Sequence, residues 1–522
     1  NFSDGTNKVY DLTAGVEYVP FFAHNGGSGG GFVVNFGQGG KTFSSAQQPD
    51  NGIGTFEYDV PADYKALCTS NLPDITIGPG QDTQADDHFE TMLYTGNGAE
   101  QHIGAGGAQH PQDTTTIANS LRFNAADSAY LSRTPSSTGN RRTWTFSCWV
   151  KGASYGSSET IFSTSQNYDS IRYTSTGKFM CLLGNSSSNT QTTALFKNPS
   201  TWYHLVVAVD TTQSTDTDRV KIYVNGSLQA LSTSTYPSQN YDSGFNHTSY
   251  VHAIGRRQSS SSLYWNEYVA EINMIDGTAL GPDSFGQVGS NGYWIPKALS
   301  GLTYGTNGFR LTFENSSYLG YDYQTSDRSG TTNDFAVTNL VATDQVIDSP
   351  TQNFATMNPE RYSGIGTFSQ GNLTVTTSTN NRATYGTIAV PSSGKWYYEV
   401  RVDSYASNGG TYMGWGTKVT EGDSEYAADH GISFSSYNEQ VLLDNSSQSG
   451  GYGATSTNAA SNGDVYSVLL DVDNGLFYYA KNGTYFNSAN PSNGTGGLSV
   501  SNVLVAAITE VRPMLTRGGS YN

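Results

Sequence analysis

The chain has 522 residues, with 44 Asp and Glu against 26 Lys and Arg, a net charge of −18 and only 13% charged residues in all. So acidic a chain with so few cations has little to offer a phosphate backbone, which argues against a nucleic-acid partner. Its 36% hydrophobic residues, with 35 Tyr, 23 Phe and 7 Trp, exclude a disordered chain, and no apolar run approaches the roughly 18 residues of a membrane span, so no membrane insertion is expected.

The missing charge is replaced by Gly, Ser, Thr and Asn, and no stretch keeps apolar residues at i, i+3, i+4 and i+7 for more than about two turns. Short or alternating apolar runs bounded by turn residues recur instead. The expected fold is therefore all-β, a tandem of antiparallel β-sandwiches joined by extended connectors. In chain order, residues 1–75 carry the run 32–37 (FVVNFG), and 76–115 form a connector around one ordered-looking piece, 88–94. Residues 116–314 hold the strands Thr143–Lys151, Trp202–Asp210 and 219–224, with a strand-poor stretch at 281–308 and an isolated piece at 308–313. A second connector covers 315–350 around 334–341, and 351–522 hold strands at 395–402, 465–472 and Leu476–Lys481. Asn225-Gly226, Asn482-Gly483 and Asp473-Asn474-Gly475 supply positions that take φ > 0 cheaply, as tight hairpins require. Alternate residues Trp144, Phe146 and Cys148, and Trp396, Tyr398 and Val400, are expected to enter the cores, and so is Trp415. Cys68, Cys148 and Cys181 are too few for a disulfide framework; buried free thiols are expected, with a Cys148–Cys181 pair as the alternative.

Residues 120–151, followed by 201–210 (TWYHLVVAVD), 220–226 (VKIYVNG) and 268–277 (YVAEINMIDG), resemble the laminin-G-like, concanavalin A-like lectin and glucanase family. There a W-x-H strand ending in Asp pairs with a Y-V-N-G hairpin in a two-sheet jelly roll. Residues 394–402 (GKWYYEVRV), 412–416 (YMGWG) and 464–486 resemble the SPRY (B30.2-type) family, with Gly463, Asp464, Asp471, Asp473, Gly475, Lys481, Asn482 and Gly483 on its signature. Residues 18–75 resemble the tail of the same family through 34–38 (VNFGQ). Tandem modules of these kinds, with connectors such as 62–73 and 339–359, resemble large virion proteins of marine bacteriophages. That resemblance implies a structural and adhesive protein of the virion surface, a tail fibre, spike or capsid fibre. Its implied partners are a host-surface glycan or protein and other virion proteins, in a homo-oligomer. The alternative is a secreted polysaccharide-active enzyme or a cell-surface lectin of a marine microbe.

The residues argue against catalysis. The E-x-D-x-E pattern occurs once, at 421–425 (EGDSE), in the SPRY-like part and outside the segment that resembles the glucanase-containing family, and within that segment Glu267 and Glu271, at i and i+4, would stand about 13 Å apart along a strand, too far for a retaining glycosidase pair. The eight histidines, 24, 88, 102, 110, 204, 247, 252 and 430, show no zinc-binding spacing, the Gly-Ser-Gly run 26–31 reads as a glycine loop without the strand-to-helix context of a serine nucleophile, and no P-loop or strand-linked dinucleotide fingerprint is present. Calcium is the one candidate cofactor. The resemblance points to Asp216 and Asp218 in 211–218 (TTQSTDTD), with Asp127, as hard oxygen ligands, against the reading of a solvated acidic turn. For ligand binding the candidates are Tyr264, Trp265 and Asn266, and Tyr426 with His430, aromatics beside polar loop residues that could stack on sugar faces. Core or connector packing is the competing reading for each. Nine N-x-[ST] sequons (Asn1, Asn185, Asn225, Asn246, Asn315, Asn372, Asn445, Asn482 and Asn493) arise from composition.

The two ends share a pattern. Residues 16–22 (VEYVPFF) and 509–515 (TEVRPML) each precede a Gly-Gly-Ser, which reads as an internal repeat. On that reading 351–522 is an incomplete SPRY-like sandwich that lacks the strand supplied by 32–37. The expectation is that the chain is a piece of a longer modular polypeptide. Either a further copy follows Asn522, or residues 1–75 complete the C-terminal domain of a neighbouring chain by strand donation.

Overall fold

A computed structural model describes residues 20–24, 30–40, 43–72, 115–152, 157–166, 168–184, 188–289, 293–324, 333–359, 366–377, 383–391, 393–404, 411–417, 431–435, 441–443, 446–447, 460–499, 511–512 and 516–517. Among these, every regular element is a β-strand or a single 3-10 turn, so the fold is all-β as expected, with antiparallel strand pairs except for Tyr64–Ala66, which runs parallel to Lys395–Ser404. The chain divides into two compact units, one of Leu93–Gln101 and Gln109–Asn353, the other of Asn1–Met92, His102–Ala108 and Phe354–Asn522.

The first unit is a sandwich of two eight-stranded sheets. One runs from the edge strand Leu231–Thr235 to Ala336–Thr338. The other runs from the hairpin Val220–Val224 with Ser227–Leu228, through Trp202–Asp210, Thr143–Lys151 and Tyr268–Asp276, to Gln345–Val346. Trp144, Phe146, Cys148 and Val150 alternate into the core between the sheets, facing Phe162, Ile171 and Cys181. Asn225 and Gly226 take φ of 46° and 80°, the left-handed pair of a tight hairpin. Cys148 and Cys181 are buried and unbonded to each other, and Cys68 is also free.

Two segments read as connectors belong to this sandwich. Ala336–Thr338 and Gln345–Val346, from 315–350, pair as edge strands on the two sheets. The stretch 281–308 forms a third layer on the outer face of the second sheet. Phe285 and Tyr304 pack on Val206 and Ile275, and Trp294 lies against the cluster of Trp149, Trp202 and Tyr268. The Tyr304 hydroxyl donates to Asn273 Oδ1 at 2.7 Å, and the Trp294 indole donates to His204 Nδ1 at 2.9 Å. The alternation in Thr143–Lys151 predicts one wet face, yet eight of its nine residues are buried because this layer covers that face.

The second unit also pairs two sheets. One contains Thr374–Thr377, Gly30–Asn35, Lys395–Ser404, Val465–Asp471 and Leu476–Lys481 in that order. The other contains Ala383–Tyr385, Pro20–His24, Thr411–Thr417, Gly431–Ser435 and Val441–Leu443. Trp396, Tyr398, Val400, Met413 and Trp415 meet Phe32 and Val34 in one core. The Tyr398 and Tyr479 hydroxyls cross between the sheets to the carbonyls of Gly414 and Met413, at 2.9 and 2.7 Å. The strand expected from a following copy or a neighbouring chain thus comes here from the same chain: Gly30–Asn35 inserts between Thr374–Thr377 and Lys395–Ser404, satisfying backbone groups that an open edge would leave unpaired. Residues 1–75 and 351–522, read as separate modules, share both sheets.

Candidate functional site

A concave surface outside the packed cores lies where edge strands of the first unit's two sheets approach each other. In Val220–Val224 every second side chain, Val220, Ile222 and Val224, enters the core, which turns Lys221 and Tyr223 outward. The Asn225-Gly226 turn reverses the chain into Ser227–Leu228, and Leu231–Thr235 then joins the edge of the opposite sheet. Between these edges opens a groove of about 410 Å³ lined by Thr217, Asp218, Lys221, Leu228, Gln229, Leu231, Ser234 and Tyr236.

Arg219 holds one wall of the groove. Its guanidinium donates to the carbonyls of Gln213, Ser214 and Pro237 at 2.8–2.9 Å, tying the acidic turn to the segment that carries Tyr236. Tyr236 is half-buried, and burial together with the nearby Asp216 carboxylate pushes its phenol above the ordinary tyrosine value. Asp218 pairs with Lys221 at 3.1 Å. Leu228 is 59% exposed at the rim, an apolar group left in water beside an aromatic ring. An apolar floor with an amide, hydroxyls and one charge of each sign is the mixture that binds a sugar ring or a short polar peptide.

The candidates from sequence distribute unevenly around this groove. Asp218 lines it and Asp216 acts on Tyr236. Asp127 is a correction: it follows the strand Ser120–Arg122, four strand positions across the sheet from Val220–Val224, or roughly 19 Å, so the three aspartates form no common calcium site. Its carboxylate accepts from Asn124 Nδ2 at 2.8 Å. Among the described residues no three His, Cys, Asp or Glu side chains converge as metal ligands. Trp265 is a second correction, since it is 2% exposed and edge-on to Tyr173 in the core, where no sugar can stack on it. Asn266 is held between Ala125 N, which donates to its Oδ1, and Glu159, which accepts from its backbone N–H, both at 2.9 Å. Tyr264 is half-buried nearby, while Tyr426 and His430 lie outside the described residues. The reading from sequence missed Tyr236, Gln229 and Leu228. Their one signal was adjacency to the Y-V-N-G hairpin.

The acids and histidines weighed for catalysis have structural partners. Glu271 sits at a β-bulge with φ of 46° and accepts from Arg310 Nε at 2.6 Å, while Glu267 is 1% exposed. His204 stacks on the Trp149 ring, accepts from the Trp294 indole at its edge and is bonded to Ser147 Oγ at 2.9 Å; burial pulls its pKa down to about 3. His252, also buried, accepts from Asn246 N at 2.9 Å and is pulled down to about 3. Both rings are neutral hydrogen-bonding elements at neutral pH.

Comparison with known proteins finds two families along the sequence. Residues 124–283 match the family described as the concanavalin A-like lectin/glucanases superfamily, and residues 395–498 match the SPRY domain family. No curated protein sequence gives a match. Among solved structures, the chain is similar to a candidate carbohydrate-binding protein from Bacteroides ovatus at 17% identity and a TM-score of 0.28, covering 43% of this chain and 61% of that one. It is similar to the CBM40 of Ruminococcus gnavus IT-sialidase bound to α2,3-sialyllactose at 14% identity and a TM-score of 0.21, covering 29% of this chain and 94% of that one. Mouse laminin α1 domains LG4-5 are similar at 9% identity and a TM-score of 0.25, covering 77% and 82%. Among the described residues no helix is long and apolar enough to cross a membrane.

Proposed function

We propose that this chain is a non-enzymatic binding and structural protein of a virion surface, whose laminin-G-like sandwich takes a host-surface glycan or protein in the groove at Tyr236. The observation that carries the binding reading is the groove itself, in which a half-buried aromatic ring and an exposed leucine share one concavity with Asp218, Lys221, Gln229 and Ser234. What supports binding over hydrolysis is the state of the acids in this sandwich: the Glu271 carboxylate is engaged by Arg310 Nε at 2.6 Å and Glu267 is 1% exposed. The virion setting rests on the tandem pairing of the two module types, and the net charge of −18 suits an extracellular particle that must resist clumping.

The test is a glycan array with the full chain, followed by calorimetry on any hit with the wild type and with Tyr236→Ala and Gln229→Ala. Each variant should weaken binding at least tenfold, with no change in thermal unfolding. Binding that survives both substitutions would place the ligand elsewhere. Release of new reducing ends from the bound glycan would reverse the non-enzymatic reading, and finding the chain in a host cytoplasmic complex instead of purified particles would overturn the virion assignment.

A further inference from the structure

The strand Thr411–Thr417 has two edges. One is taken by Gly431–Ser435, with Tyr412 opposite Ser435 and Gly416 opposite Gly431. Everything else that pairs with this strand must lie on its other edge, and two segments do. Pro20–His24 runs antiparallel along it, with Pro20 opposite Trp415 and His24 opposite Thr411. Val511–Arg512 and Thr516–Arg517 also run antiparallel along it, with Arg512 opposite Gly416, Val511 opposite Thr417 and Arg517 opposite Thr411.

These pairings have one register. His24 stands four residues after Pro20, Arg517 stands four residues after Pro513, and both face Thr411. The two segments belong to the copies of the E-x-x-P repeat, 17–20 (EYVP) and 510–513 (EVRP), at the two ends of the sequence. A strand edge accepts one neighbour at about 4.8 Å, so two segments with the same sequence pattern and the same register are alternatives for one place. In the structure the first copy pairs with 411–415 and the second with 416 and 417, and both register on Thr411.

We infer that the edge of Thr411–Thr417 is a single strand slot with two interchangeable occupants in the same chain, and that the displaced occupant pairs with the same slot on a second copy of the protein. One slot and two claimants leave one strand over. The leftover has a backbone register and a sequence already matched to that slot, so a second copy of this chain is its complementary partner. Exchange of identical elements builds a closed dimer when it is mutual, and a head-to-tail array when each chain gives one strand and receives another. This inference stands apart from the ligand-binding reading, because it concerns backbone pairing in the SPRY-like unit alone.

The test uses Thr411, the residue opposite both claimants. In the full-length chain, Thr411→Cys is combined with His24→Cys in one variant and with Arg517→Cys in another; the buried native cysteines make the wild type the uncrosslinked control. Under mild oxidation at low concentration both double variants should form the intramolecular disulfide, mapped by mass spectrometry of peptides. A disulfide in one variant only would overturn the shared slot, with circular dichroism of both variants showing that each is folded. Mixing the Thr411→Cys single variant with the Arg517→Cys or His24→Cys single variant should then give a disulfide-linked dimer that increases with protein concentration. Strictly monomeric products at every concentration would overturn strand donation to a second copy.

Discussion

Replacing Lys151 with methionine should destabilise the laminin-G-like unit severely, and adding Asp348→Leu should recover most of the loss. Lys151 ends the strand Thr143–Lys151 with its ammonium against Asp348 Oδ2 at 2.8 Å and Asn353 Oδ1 at 2.7 Å, and both charged side chains are 0% exposed. Asp348 also accepts from the Trp202 indole at 3.1 Å, and its carbonyl accepts from Ser120 Oγ at 2.6 Å. The pair is therefore the clasp that holds the 341–353 segment to the sandwich. Removing one member of such a buried pair costs about 3–5 kcal/mol, because a carboxylate desolvated at that expense loses its cation. Each kcal/mol moves the melting temperature of a unit this size by roughly 2–4 °C, so Lys151→Met should lower it by about 10 °C. Exchanging both charges for apolar groups is nearly neutral in other proteins, so the double variant should return to within a few degrees of the wild type. Scanning calorimetry of the full chain reads both effects on one transition. A Lys151→Met shift below about 2 °C, or a double variant no more stable than the single, would refute the clasp.

Acid should weaken the same unit well before its surface carboxylates titrate. His204 and His252 have folded pKa values near 3 against an ordinary 6.5, so their contribution is complete above about pH 6.5 and falls as the unfolded chain takes up protons below it. Asp169 acts in the opposite direction: burial raises it to about 6, so it favours the folded state as pH falls from about 6 toward 4. At about 1.4 kcal/mol per pH unit per group, two histidines outweigh one aspartate by about 3 kcal/mol at pH 4.5, measurable as a lower urea midpoint; an unchanged midpoint from pH 7 to 4.5 would contradict the buried neutral histidines. Gly226→Ala should cost at least about 1 kcal/mol, since φ is +80° and an added Cβ would collide with the Trp294 ring. A Gly226→Ala chain that unfolds at the wild-type urea concentration would show that Trp294 does not pack there.

The strands were legible in the sequence because their alternation is dictated by the core they face. Trp144, Phe146 and Cys148, and Trp396, Tyr398 and Val400, read correctly from period two alone, and Asn225-Gly226 and Asn482-Gly483 read as turns because few other residues tolerate positive φ at both positions. What was not legible is what covers the outer faces. Trp149, Trp202 and Tyr268 are large enough to demand a cover, but periodicity does not say that residues near 285–304 provide it. Trp265 was misread for the same reason: an aromatic between Tyr and Asn looks like a loop platform until the packing partner, Tyr173, is known. The groove escaped notice because it is built from the acidic turn and three short edge strands whose side chains are individually ordinary, and their convergence depends on where two sheet edges meet.

Gly30–Asn35 finds its neighbours far along the chain: Asn35 bonds Glu399 across a separation of 364 residues. During synthesis at roughly 5–20 residues per second, that strand leaves the ribosome about 20–70 s before its partner exists. For that interval Phe32 and Val34, fully buried in the finished protein, have no core to enter, while the whole laminin-G-like unit emerges and can close on its own contacts. The early strand must be shielded, held back or paired elsewhere until Lys395–Ser404 arrives. Crowded polysomes place many such waiting strands side by side, so the step most exposed to error in making this protein is the choice between its own late partner and that of the chain next to it.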